Sequence, residues 1–257
     1  MAIIRKRKLL LLLLFLFLCI FIPTYSSIPF MQQDMMLVIR DVFIQTSVAY
    51  LWLSPAIHVA TVILLLTLIR QGRQTGRIAD AFFGVLFIFM AFSNHIAVTE
   101  NYGLVVIAGN LVQIVIVGLF WLWDAFKPRN VYVFSRLPTW RYWVVPLAFL
   151  AFWSPIAPDL SPDFSPLLLL TSSFGVMFCP TTPVIIALLT LIYPKVHKYV
   201  LMVTSFVGFL IGIFNAIALL LMPAYSIWNF ILHIPLISIS LYGLLLTRVV
   251  KEKPREH

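Results

Sequence analysis

The apolar run from Phe174 to Ile192, FGVMFCPTTPVIIALLTLI, is long enough to cross a bilayer, yet Cys179-Pro180-Thr181-Thr182-Pro183 interrupts it near its middle. Pro180 and Pro183 each lack a backbone N–H, so the carbonyls of Val176 and Cys179 lose their helical partners. In a bilayer core no water replaces those partners, and the fold must bring donors to them. The hydroxyls of Thr181 and Thr182, or groups from a neighbouring helix, are the expected donors. The run therefore reads as a discontinuous helix presenting Cys179, Pro180, Thr181 and Thr182 to a ligand, or as a helix kinked for packing.

Composition sets the class. The chain has 257 residues, 62% apolar and 11% charged, with a mean hydropathy of +1.03. About a quarter of an ordinary soluble domain is charged. The expectation is an all-α, polytopic transmembrane helical bundle. Cys19 and Cys179, the two cysteines, both lie in apolar runs and form neither a disulfide framework nor a metal-ligand pattern.

At the N-terminus, Arg5-Lys6-Arg7-Lys8 precedes an apolar run from Leu9 to Ile22 and then Pro23-Thr24-Tyr25-Ser26-Ser27. Residues 1–28 read as a signal anchor, or as a signal peptide cleaved after Ser26. A mixed outer segment, 29–46, carries Asp34, Arg40 and Asp41. Seven further apolar runs follow, near Ser47–Ile69, Ile78–Val98, Tyr102–Trp123, Tyr142–Ala157, Leu167–Ile192, Tyr199–Met222 and Tyr225–Leu246. The sequence thus predicts a bundle over 47–247 and a basic tail over 248–257. It has eight spans, or seven if the first run is removed.

Charge gives an orientation. With the N-terminus cytoplasmic, the inside connections collect Arg70, Arg73, Arg77, Lys127, Arg129, Arg136, Arg141, Lys195 and Lys198 and the C-terminal bases, leaving only Arg40 outside. Asp34, Asp41, Glu100, Asp159 and Asp163 fall on the other side. This distribution predicts a cell-membrane protein with a cytoplasmic C-terminus. The net charge of +9 is then a topology signal: it implies contact with anionic membrane lipids and no nucleic-acid partner. Connections are too short to hold a soluble nucleotide-using domain.

Polar residues inside the runs fall into faces by helical spacing. Ser54, His58 and Thr61 share one face, Asn110 and Gln113 a second, Asn229 and His233 a third. Asn94 and His95 close one run, and Asn215 lies in another. Polar groups at such depth face the bundle interior or a wet cavity. His58, Asn110, Gln113, Asn229 and His233, beside Cys179–Thr182, therefore predict an outward-facing polar vestibule that binds or passes a small molecule or ion. Interhelical hydrogen bonding that merely holds the bundle together is the alternative.

Other chemistries have less to stand on. His58 and His233 are a pair of imidazoles able to ligate a haem iron axially, and Gly118-Leu119-Phe120-Trp121-Leu122-Trp123-Asp124 resembles the G-x-x-W-x-W-D core of haem-handling membrane proteins of cytochrome c maturation. That resemblance implies a haem-linked electron-transfer protein. No nucleophile elbow, H-E-x-x-H or intramembrane carboxylate pair is visible. Asp80 reads as a surface partner of Arg77, and Cys179 has no base adjacent in sequence. The cofactor is left open, and an enzyme is poorly supported.

Phe174 to Thr182, followed by Tyr193-Pro194 and by Val207-Gly208 and Ile211-Gly212, also resembles an uncharacterised family of polytopic prokaryotic membrane proteins with a C-P-T-T element in a transmembrane helix. The resemblance spans about Trp52 to Leu246. It implies a helical membrane fold in a prokaryote and carries no activity. Short loops and abundant aromatic residues fit a further expectation, an accessory subunit whose partners are other membrane protein subunits.

Overall fold

The computed structural model describes residues 2–134, 137–221 and 227–249. In chain order these form α1 (Ala2–Cys19), a short strand β1 (Tyr25–Ser26), α2 (Met35–Tyr50), α3 (Ser54–Ser93), strands β2 (Ile96–Thr99) and β3 (Gly103–Val106), and α4 (Ala108–Phe126). Next come α5 (Val144–Trp153), α6 (Leu168–Thr171), α7 (Phe178–Ile192), α8 (Lys198–Leu221), α9 (Ile227–Ile231) and α10 (Ile234–Val249). The expected basic tail lies outside the described residues from position 250 onward, as do Arg136 and residues 222–226, which hold the expected span limits Met222 and Tyr225.

The protein is mostly helical, and five of its helices are long and apolar enough to cross a membrane: Gln32–Gly72, Thr75–Ser93, Ala108–Phe126, Lys198–Ala218 and Ile227–Arg248. This is fewer than the eight spans expected. The Tyr142–Ala157 run is helical over only 10 residues, about 15 Å of rise against a hydrocarbon core of about 30 Å. The Leu167–Ile192 run is split into α6 of 4 residues and α7 of 15. The N-terminal run does form an 18-residue helix, although it is not among those five. The segment 29–46, expected to be a mixed outer stretch, is largely α2 and continues towards α3.

Two further details depart from an all-helical reading. Val98 and Tyr102 were expected inside spans. Instead β2 and β3 form an antiparallel hairpin, with β1 on the outer edge of β3 to give the order β1-β3-β2. Its strands are rich in β-branched residues and the turn closes at Gly103, whose φ is +63°. In place of a basic loop between the second and third spans, α3 runs through and kinks at Gln71 (φ −129°, ψ 23°).

Packing follows the logic of a lipid solvent. Val59, Ile63, Leu66 and Ile69 on α3 are half to two-thirds exposed, whereas Ser54, His58 and Thr61 on the same helix are buried. Helices approach closely where side chains are small. A Cβ on Gly84 of α3 would meet Leu122 of α4 at 2.8 Å, and one on Gly118 would meet Ile88 at 2.7 Å. Gly208 and Gly212 of α8 lie likewise against Ser240, Leu236 and Ile237 of α10.

Candidate ligand cavity

The interruption in the Phe174–Ile192 run lies before Cys179 rather than after it. Residues 172–177 are non-helical, and α7 starts at Phe178 with Met177 as its N-cap. Pro180 thus falls in the first helical turn, where a missing N–H costs no helical bond. Only Pro183 lies inside the helix.

The exposed backbone of the break is satisfied group by group. Asn94, just past the end of α3, donates its Nδ2–H to Val176 O at 2.8 Å and accepts from Phe178 N–H at 3.0 Å. Thr181 Oγ1 donates back to Met177 O at 2.6 Å and accepts from Gly175 N–H at 2.7 Å. Ser54 Oγ donates to Ser172 O, and Ser172 Oγ accepts from Phe174 N–H at 3.2 Å. Gly175 is required here: its φ is +79°, and a Cβ would overlap Ile57 of α3. Thr181 therefore turns its hydroxyl back onto the preceding turn as the sequence suggested, but onto Met177 O rather than the Val176 or Cys179 carbonyl. Thr182 does not, since its hydroxyl is buried with no partner among the described residues and it packs beside Gly208.

His58 serves the same break. Its Nδ1 lies 2.8 Å from Ser54 O and its Nε2 3.1 Å from Ser172 Oγ. Its ring sits edge-on to Phe152 and Phe174, with centroids 4.7 and 5.2 Å away. Both nitrogens are occupied, so His58 and His233 do not form an open pair for a haem iron. Gln113 is also committed elsewhere. Its Nε2–H donates to Leu16 O at 2.6 Å, filling one of the carbonyls left free at the C-terminal end of α1. Gly109, one turn earlier, leaves room for the Cys19 carbonyl.

The remaining predicted residues do converge. Asn110, Cys179, Pro180, Asn229 and His233 line one cavity of about 320 Å³. It lies between α2, the start of α4, the connection after α5, the break, α8 and the α9–α10 turn, at the end of the bundle bearing Glu100, Asp159 and Asp163. The volume falls in the usual range for small-molecule sites. The wall is chiefly apolar, with Ile39, Phe43, Leu51, Met177, Phe178 and Ile211 among its members.

Several polar atoms on that wall have no hydrogen bond among the described residues. His95 and His233 each direct Nδ1 at a backbone carbonyl one turn back, Ala91 O at 3.1 Å and Asn229 O at 2.7 Å. This leaves Nε2 of each without a hydrogen bond among the described residues. Asn110 and Arg40 also have none there, whereas Asn215 donates to Cys179 Sγ at 3.5 Å and Asn229 to Leu160 O at 3.2 Å. Asp159 beside the rim is fully exposed. The Ser161 hydroxyl and N–H, and more weakly the Arg40 charge, hold its carboxyl below the usual range.

Arg40, Asn94, His95 and Asn215 were absent from the predicted site. The sequence signal for Arg40 was its position as the single base left on the acidic side. For Asn94 and His95 it was their adjacency at a span end.

A second polar cluster lies at the opposite end. Asp80 is buried and accepts from Asn130 Nδ2–H at 2.9 Å and Tyr132 O–H at 2.6 Å. It therefore does not pair with Arg77 at the surface. Asp124, last residue of the G-x-x-W-x-W-D stretch, is also buried, with His197 Nδ1 at 2.9 Å, and Arg129 Nη1 lies 2.8 Å from His197 Nε2. Two buried carboxylates from α3 and α4 thus converge where no intramembrane pair was expected. The motif's Trp121 is fully buried and donates to Thr204 Oγ1 at 3.0 Å, which gives it a packing role between α4 and α8. Among the described residues, no group of three or more His, Cys, Asp or Glu is arranged to hold a metal ion.

Comparison with protein-family models, curated proteins and solved structures finds no match.

Proposed function

We propose that this chain is a multi-pass membrane component that binds a small molecule in the cavity beside the α6–α7 break. The observation that carries the reading is a set of polar groups left open on one largely apolar wall, from four separate parts of the chain: the Nε2 atoms of His95 and His233, the Asn110 amide and the Arg40 guanidinium, none with a hydrogen bond among the described residues. An unpaired polar group in a membrane interior is costly unless a ligand or water completes it. Two imidazole Nε2 acceptors, one amide and one guanidinium give a ligand both donors and acceptors to meet.

The basic connections face the cytoplasm on this reading, following the positive-inside rule, and the C-terminus is cytoplasmic. The cavity then opens to the outside of a cell membrane. The likeness at Cys179–Thr182 favours a prokaryotic setting. Cys179 is read as part of the wall rather than as a nucleophile, because Asn215 is its polar neighbour.

The test is extraction and mass spectrometry of molecules that purify with the protein in native lipid discs, compared with Ala157→Trp, which places a large ring in the cavity from a connecting segment. A molecule retained by the parent and lost from a folded Ala157→Trp variant supports the reading. Identical profiles for the two proteins contradict it.

A further inference from the structure

The cavity's charge is one-sided. Arg40 is the one cationic side chain among the described residues that line it, and neither Asp nor Glu does so. The guanidinium has no hydrogen bond or close ion pair among the described residues; the acids near it are Asp41 on its own helix and Asp159 in the connection after α5, whose exposed carboxyl feels the Arg40 charge only weakly. Asp41 accepts from Asn101 at 3.0 Å, and Asp159 is bound to Ser161. Arg40 lies one helical turn nearer the start of α2 than Phe43, whose ring meets that of His95 at 6.4 Å. It therefore sits towards the rim, above an interior bounded by Phe43, Leu51, Met177, Phe178 and Ile211.

Resting on the binding role proposed above, we infer that the occupant is a single-chain amphiphile with one anionic group, carboxylate or phosphate, which pairs with Arg40 while its apolar chain lies against that interior. A guanidinium at the edge of an apolar site is matched by a planar or tetrahedral oxyanion through two parallel N–H···O bonds. A cationic ligand meets no acid among the described residues that line the cavity, only the exposed, Ser161-bound Asp159 beside its rim, and a fully apolar one leaves Arg40 without an anion inside the cavity and Asn110 and the two imidazole Nε2 atoms without a hydrogen bond there.

The experiment measures binding to the full chain in lipid discs by native mass spectrometry. The probes are dodecanoate, dodecyl phosphate and dodecanol, applied to the parent, Arg40→Gln and Ala157→Trp. Arg40 is only partly buried, so its replacement leaves the fold intact, which near-identical thermal unfolding will check. The expected result is that one or both anions bind at least about tenfold more tightly than dodecanol, with the preference lost in Arg40→Gln and dodecanol binding unchanged. The two anions separate a carboxylate from a phosphate preference. Equal binding of all three probes to the parent, blocked in Ala157→Trp, overturns the anionic class and leaves the cavity as a binding site. Binding that Ala157→Trp does not reduce overturns the cavity reading itself.

Discussion

Asn94 and Val176, 82 residues apart, are joined by a 2.8 Å hydrogen bond in which the Asn94 amide satisfies a carbonyl of the non-helical stretch before α7. The same side chain accepts from Phe178 N–H at 3.0 Å. One residue at the end of α3 thereby closes both sides of the α6–α7 break and fixes where Cys179 and Pro180 face the cavity.

Replacing Asn94 by Ala leaves a buried carbonyl and a buried N–H without partners. With orphaned groups costing about 1–3 kcal/mol each, the variant is expected to lose about 2–6 kcal/mol of stability. Equilibrium unfolding in mixed micelles measures this. A loss below about 0.5 kcal/mol, the ordinary range of a neutral substitution, contradicts the role assigned to Asn94.

Gly175→Ala forces a side chain into a left-handed conformation and against Ile57. The expected loss is about 1–3 kcal/mol. The double variant with Ile57→Ala is expected to recover the steric part while keeping the conformational part, so the two changes couple. Strict additivity in the same unfolding assay shows that the contact does not matter.

Much of this architecture was legible in the chain itself, and the limits were physical. Apolar runs marked the helices because lipid demands them, but run length did not report where a helix begins. The Leu167–Ile192 run is apolar along most of its length and its visible interruption is at Cys179–Pro183, yet Ser172, Gly175 and Asn94 determine that the break lies earlier and that α7 starts at Phe178. Helical spacing found the faces of Asn110, Asn229 and His233 but not which neighbour each face would meet. Gln113 shares a face with Asn110, yet it reaches α1 instead of the cavity. Asp80 and Asp124 are 44 positions apart, and nothing in their local sequence indicated that α3 and α4 would bring both inside.

Gly109 and Gln113 together seat the end of α1. Gly109→Val is expected to push α1 away and uncover Cys19, which is 1% exposed. With Cys179 replaced by Ser, N-ethylmaleimide should leave Cys19 unmodified in the parent and label it in the Gly109→Val variant within the same exposure. Equal labelling of both proteins is the contrary outcome.

Tyr132 lies in the connection after α4, outside the spans, and packs on the α3 kink at Gly72 and Gly76. Burial, then the Asp80 charge and hydrogen bond, hold its phenol well above the ordinary value. Below pH about 10 the phenol is protonated whether folded or unfolded, and this group adds no pH dependence. Above it the unfolded chain loses the proton while the folded one keeps it, so stability falls as pH rises, by up to about 1.4 kcal/mol per unit. Tyr132→Phe should show a shallower alkaline loss between pH 10 and 11 in parallel unfolding curves. Superimposable slopes disagree with the buried phenol.

The most direct measurement is photo-cross-linking of the protein in lipid discs with a diazirine-bearing twelve-carbon fatty acid, followed by peptide mapping. The account predicts adducts within Met36–Leu51, Met177–Pro180 or Leu232–His233, competed by unlabelled dodecanoate and diminished in Ala157→Trp. Adducts confined to the lipid-facing side of α3, at Val59, Ile63 and Leu66, with none in the cavity segments, would contradict it.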